Sequence, residues 1–254
     1  MALGRIRSPS RGPCSPARSC DGLIVLGSID AMASYVLVPG AGGSGWYWHR
    51  VVAELVRRGH KAVAVDLPGT DPSAGLAEYS DLIVAGARTM REPVVLVAQS
   101  LGGFSAPLAS AEVAVERMVL VNAMIPRPGE TAGEWWDAVG WREAAQASAE
   151  RDGRPEPDVG DLDTLFFHDL PADLVEIMQA DRGAVAEGPA VFSQPWPLGA
   201  WPELSTTVLC GREDRLFPID LRATGPVRPP SYVAGLAWAV LCASATPWTS
   251  PGAP

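Results

Sequence analysis

Four short apolar runs recur along the first half of the chain: Tyr35-Val36-Leu37-Val38, Ala62-Val63-Ala64-Val65, Val94-Val95-Leu96-Val97 and Met118-Val119-Leu120-Val121. None alternates apolar with polar, as a strand with one wet face would, so each predicts a strand covered on both sides. Between them the spacing becomes helical. Residues 46–58 carry Val51, Val52, Leu55 and Val56 and stop at Gly59, and 75–90 and 101–111 read as helices too. Strand and helix in turn predict an α/β fold, a mainly parallel, doubly wound sheet.

The rhythm breaks after residue 123. Residues 124–203 hold no buried-strand run but five of the nine tryptophans, Trp135, Trp136, Trp141, Trp196 and Trp201. Leu162–Gln179 reads as helical, with Pro171 opening a new turn, and Thr206-Thr207-Val208-Leu209-Cys210 is a fifth strand. The expected organisation is a core of residues 34–123 and 204–220 interrupted by a helical cap, 124–203. Residues 1–33 are expected to be a disordered tail or an upstream extension, with translation starting at Met32. A secretory signal is the lesser alternative there: arginines, a short apolar stretch and Ala31-Met32-Ala33 outline one, but Asp21 and Asp30 flank the stretch. Residues 221–254, rich in Pro and Ala with no acid, are expected to be an atypical, poorly packed tail.

Composition narrows the picture. With 254 residues, 47% of them apolar, the chain can bury a sizeable core and is not a disordered protein. A net charge of −9 argues against a basic nucleic-acid surface. No apolar run reaches the ~18 residues of a membrane-spanning helix. Cys14, Cys20, Cys210 and Cys242 are too scattered for a disulfide framework or a zinc site, so reduced thiols in a cytoplasmic protein are expected, with no metal and no organic cofactor.

The first candidate chemistry is ambiguous. Gly40-Ala41-Gly42-Gly43-Ser44-Gly45 follows a strand and precedes a helix, and Asp66 ends the next strand. That is the layout of a dinucleotide site, with glycines against a pyrophosphate and an acid on the ribose. The same loop could instead aim main-chain N–H groups at an oxyanion. Ala98-Gln99-Ser100-Leu101-Gly102-Gly103, between a buried strand and a helix, favours the second role. A nucleophile on such a turn needs small residues two positions before and after it, and Ala98 and Gly102 are small. Ser100 could also be a plain helix cap. Gly211-Arg212-Glu213-Asp214 then places an acid after the fifth strand, in the order serine then acid.

These segments, with Asp66-Leu67-Pro68-Gly69, resemble the α/β-hydrolase family from about Ser34 to Pro218. Gly45-Trp46-Tyr47-Trp48 and Gly59-His60-Lys61 look like its esterase and hydroxynitrile-lyase-like branch. The resemblance implies Ser100 as nucleophile, Asp214 as the acid of the triad, and the N–H groups of Ala41 and Leu101 as oxyanion hole. It also implies a histidine after the acid. The only histidines here are His49, His60 and His168, all before Asp214. Of these, His168 in the cap is the alternative base, and the region after Leu221 is expected to have lost the family's own. The reading is acyl-transfer hydrolysis of a small apolar or aromatic ester or amide, impaired if no base reaches Ser100. An inactive protein that only binds ligand and a nucleotide-binding oxidoreductase are the competing readings.

Overall fold

The computed structural model describes residues 32–181, 187–219, 221 and 232–236. Strands β1 (Ser34–Val38), β2 (Lys61–Ala64), β3 (Val94–Gln99), β4 (Val115–Val121), β5 (Thr206–Gly211) and β6 (Tyr232–Leu236) form one parallel sheet in the order β2-β1-β3-β4-β5-β6. β1, β3 and the distal half of β4 are buried along both faces, which is why their sequences do not alternate. Helix α1 (His49–Arg57) follows a 3₁₀ turn (Gly45–Trp48), and α2 (Leu76–Arg88) and α3 (Gly102–Ala109) complete the layers. One core beneath α2 and α3 gathers Val36, Ile83, Leu96, Met118 and Leu120, and a second on the α1 side holds Tyr35, Leu37, Val95 and Val119.

The order departs from the 3-2-1-4-5-6 arrangement of dinucleotide-binding sheets. It reverses direction between β1 and β3, so their carboxyl ends open a crevice, the place where parallel sheets bind ligands. Val38 is in register with Ala98, Ala98 with Leu120 and Leu120 with Val208, so Ser100 and Asn122 each stand two residues beyond that row.

Between β4 and β5 lie α4 (Ala132–Ala138), α5 (Trp141–Arg151), α6 (Leu162–Phe166), α7 (Ala172–Asp181) and α8 (Pro189–Ser193). No strand interrupts them among the described residues. Tryptophans fasten this segment to the sheet layer. The indole N–H of Trp196 donates to Phe104 O at 3.0 Å, that of Trp135 to Ile125 O at 3.2 Å, and that of Trp141 to Leu216 O at 2.6 Å. Their rings pack with Leu101, Phe104, Met124 and Phe217. Among the described residues no helix is long and apolar enough to cross a membrane.

Of residues 221–254, expected to be a poorly packed tail, Tyr232–Leu236 pairs with β5, and that segment belongs to the sheet instead. The run contains the strand formers Tyr232 and Val233, but Gly235 and the surrounding prolines masked it. The rest of 221–254, apart from Leu221, and all of 1–31 lie outside the described residues, as do Cys14, Cys20 and Cys242.

The close approach of α3 to the β4 end gives a direct test. A β-carbon at Gly103 would fall 2.0 Å from Met124 O, whereas one at Gly133, in α4, meets nothing nearer than 3.5 Å. Gly103→Ala should lower the unfolding free energy by roughly 2–3 kcal/mol through overpacking. Gly133→Ala should raise it by about 0.5–1 kcal/mol, the ordinary helix preference for alanine. Urea titrations of the two variants check both.

Candidate active site

Ser100 occupies the turn between β3 and α3 with φ 48°, in the left-handed region. Its main chain holds the turn: the Ser100 N–H donates to Val121 O at 3.3 Å, and Ser100 O accepts from Gly103 at 3.1 Å and from Met124 at 2.9 Å. The neighbouring loops tolerate no side chain there. A β-carbon on Gly40 would lie 2.8 Å from Ser100 Cβ, and one on Gly102 would lie 2.7 Å from Pro39 O. The smallness predicted around Ser100 therefore reflects the approach of the first loop to the serine turn.

The remaining glycines of that loop have internal partners. A β-carbon on Gly43 would strike Leu67 O at 2.3 Å, and Gly45 donates its N–H to Asp66 Oδ1 at 2.8 Å. Asp66 thus ties two loops together instead of reaching toward a ribose. This removes the physical basis for a dinucleotide site that uses Asp66 as its ribose acid. Among the described residues neither the Ala41 nor the Leu101 N–H has an acceptor in the protein.

Asp214 lies beyond β5, where its Oδ1 accepts from the N–H groups of Leu216 at 2.9 Å and Phe217 at 2.8 Å. That turn carries both apolar side chains to the pocket. Gln99, Ser100, Asn122, Leu165, Phe166, His168, Glu213, Asp214, Leu216 and Phe217 line one pocket of about 370 Å³, open mouth included. Ser100, Asp214 and His168 therefore meet in one place. Ala41 and Leu101 are not part of that wall.

The three histidines separate cleanly. His60 accepts at Nδ1 from the Ala33 N–H at 3.3 Å and packs edge-on to Tyr35, away from the serine turn. His49 is exposed, its Nδ1 2.8 Å from Trp46 O. His168 is half-buried in the pocket wall, and its Nδ1 is buried without a partner among the described residues. Desolvation, then the charge of Arg215, lowers its pKa, while Asp169 and a hydrogen bond to the Glu213 main chain act the other way. Asp169, next in sequence, is thus one carboxylate whose charge reaches the ring.

Some pocket residues had no role in the sequence reading. Among them are Asn122, Phe166 and Phe217. Asn122 could have been found as the polar residue ending a buried run, level with Ser100. None of the five tryptophans of residues 124–203 lines this pocket. Trp135, Trp141 and Trp196 are packing anchors, Trp201 donates to Thr206 Oγ1 at 3.2 Å, and Trp136 packs on Trp141 and Phe217. Across the serine turn, Glu187 accepts from the Gly42 N–H and from the Tyr79 hydroxyl, joining the chain before α8 to the first glycine loop.

A model of the alpha/beta hydrolase family matches residues 35–246. The probable esterase PIR7A of Oryza sativa subsp. indica is 31% identical over 176 residues, 65% of this chain and 60% of that protein. Methylesterase 18 of Arabidopsis thaliana is 34% identical over 106 residues, 37% of this chain and 40% of that protein. The chain thus spans about 60% of the length of the rice relative it matches. Polyneuridine aldehyde esterase superposes with a TM-score of 0.58 at 21% identity, covering 76% of this chain and 85% of that one. An extracellular alpha/beta-hydrolase from a Paenibacillus species does so with a TM-score of 0.58 at 14% identity, covering 81% and 90%. At those identities the likeness establishes the fold.

The His168 environment predicts a titration. A folded-state pKa below the ordinary imidazole value of 6.5 means that the folded protein favours the neutral ring. Its contribution to stability is complete above that value and is lost as pH falls through the folded pKa. NMR titration should place the His168 midpoint below 6.5. The decline in unfolding free energy on acidification should be shallower in His168→Gln.

Proposed function

Since the chain belongs to the alpha/beta hydrolase family, we propose that it is a serine esterase acting on small neutral esters, with His168 as base. The supporting observation is that Ser100, His168 and Asp214 line one pocket. Taking the proton of the Ser100 Oγ hydroxyl needs a neutral imidazole with an available lone pair, and the lowered pKa of His168 together with its unpartnered Nδ1 meets that need. The hydrogen bond to the Glu213 main chain orients the ring.

In the proposed reaction His168 takes the Ser100 hydroxyl proton as the serine oxygen attacks the ester carbonyl carbon. The Ala41 and Leu101 N–H groups face the oxygen that becomes negative. Collapse of the tetrahedral species breaks the ester C–O bond, and the imidazolium returns its proton to the departing alkoxide. Water, deprotonated by the same ring, then releases the acid and restores Ser100. Asp214 and Glu213 line the pocket beside the transient imidazolium, and Asp169 adjoins it, so carboxylate charge surrounds the place where positive charge develops. Leu165, Phe166, Leu216 and Phe217 give the substrate's apolar part a surface of aromatic size. The relatives named as esterases agree in reaction class.

A fluorophosphonate reporter should label wild-type protein at one site, located on Ser100 by peptide mass mapping, and should leave Ser100→Ala unlabelled. His168→Ala should slow labelling and the hydrolysis of 4-nitrophenyl esters by about 10²–10⁴-fold, the usual contribution of a general base. Wild-type rates should hold to below pH 6.5 before falling as the ring protonates. Labelling unaffected by His168→Ala would remove the base assignment. Ligand binding without labelling would instead identify a protein that binds and does not turn over.

A further inference from the structure

Asn122, the residue after β4, is built at a cost that the fold alone does not repay. It is 4% exposed and has φ 44°, a left-handed conformation that asparagine adopts more readily than most residues. Its Oδ1 accepts from the Gly211 N–H at 2.7 Å, which fixes which end of the amide is oxygen. That leaves Nδ2 as a buried donor with no acceptor among the described residues. A buried donor left unpaired costs about 1–3 kcal/mol. Asn122 is also part of the pocket wall, on the strand between those that carry Ser100 and Asp214.

We propose that the Asn122 amide selects substrates, donating from Nδ2 to a substrate oxygen other than the reacting carbonyl. This deepens the esterase reading, because it concerns the same pocket. The chemistry around the amide restricts that oxygen. Glu213 and Asp214 share the pocket wall, so an anionic ligand group would meet like charge, and a neutral ether, keto or hydroxyl oxygen suits the donor. Phe166, Phe217, Leu165 and Leu216 surround the apolar remainder. The ligand class is an aryl or alkyl ester with one neutral acceptor oxygen a few bonds from its carbonyl.

The test measures binding rather than turnover, so its failure is separable from failure of the catalytic assignment. Phenoxyacetamide and 3-phenylpropanamide have nearly the same shape and differ by one ether oxygen. Their dissociation constants are measured by calorimetry on Ser100→Ala, with Asn122 intact or changed to Asp or Gly. Asp keeps the acceptor for the Gly211 N–H, and Gly brings no charge; both suit a positive φ. With Asn122 present the ether should bind roughly 3- to 10-fold more tightly than the carbon analogue, the worth of one neutral hydrogen bond. That preference should vanish in both variants, with circular dichroism confirming that each is folded. Loss in Asn122→Asp but not in Asn122→Gly would be a charge effect and would overturn the proposal. So would an unchanged preference in both, or no binding of either amide. Fluorophosphonate labelling of protein with Ser100 intact reports separately on the nucleophile.

Discussion

Everything at the candidate site depends on how near three segments come to one another at the ends of β1, β3 and β4. The first loop touches the Ser100 turn at Gly40, and α3 sits against the same strands at Gly102 and Gly103. At each position a β-carbon would lie within 2.8 Å of a neighbouring atom. Van der Waals exclusion is steep, so the approach exists only because those side chains are missing. With it comes the positive φ of Ser100. The switch point of the sheet sets where the segments meet, and the glycines set how closely.

The second requirement is that the residues between β4 and β5 settle on this arrangement without filling it. Indole N–H bonds meet it by fixing α4, α5 and the chain after α8 to main-chain carbonyls, leaving α6 to supply Leu165 and Phe166 to the pocket. Tryptophan suits the purpose because one side chain both covers a wide apolar area and satisfies a buried carbonyl. The Asp214 turn does the same from the sheet side, turning Leu216 and Phe217 inward through two main-chain bonds.

Much of this was legible in the chain. The unalternating runs located β1, β3 and β4 because burial on both faces writes itself into every position, whereas β2, an edge strand, was read from an apolar run that is only half-buried; the spacing of Ala98, Ser100 and Gly102 marked the serine turn. The glycine loop stayed ambiguous because small residues serve a pyrophosphate and a tight loop contact equally well; only the position of Leu67 and the Asp66 bond decide between them. Asn122 and Phe166 were silent for a different reason. Phe166 matters through juxtaposition with Ser100 across more than forty residues of chain, and Asn122, visible only as the polar end of a buried run, through its bond to Gly211, neither of which local pattern encodes. β6 was missed because five residues interrupted by Gly235 are too short a signal among prolines.

His168 is carried by the stretch after α6, not by the sheet. It and Ser100 therefore belong to pieces of the chain held together by packing and a few hydrogen bonds, and sub-global opening can part them while the strands stay paired. Heating such a molecule undocks one layer from another before it melts the sheet. The persistence of the pocket then rests on the tryptophan contacts under the helices, and strengthening the sheet alone would leave it unchanged.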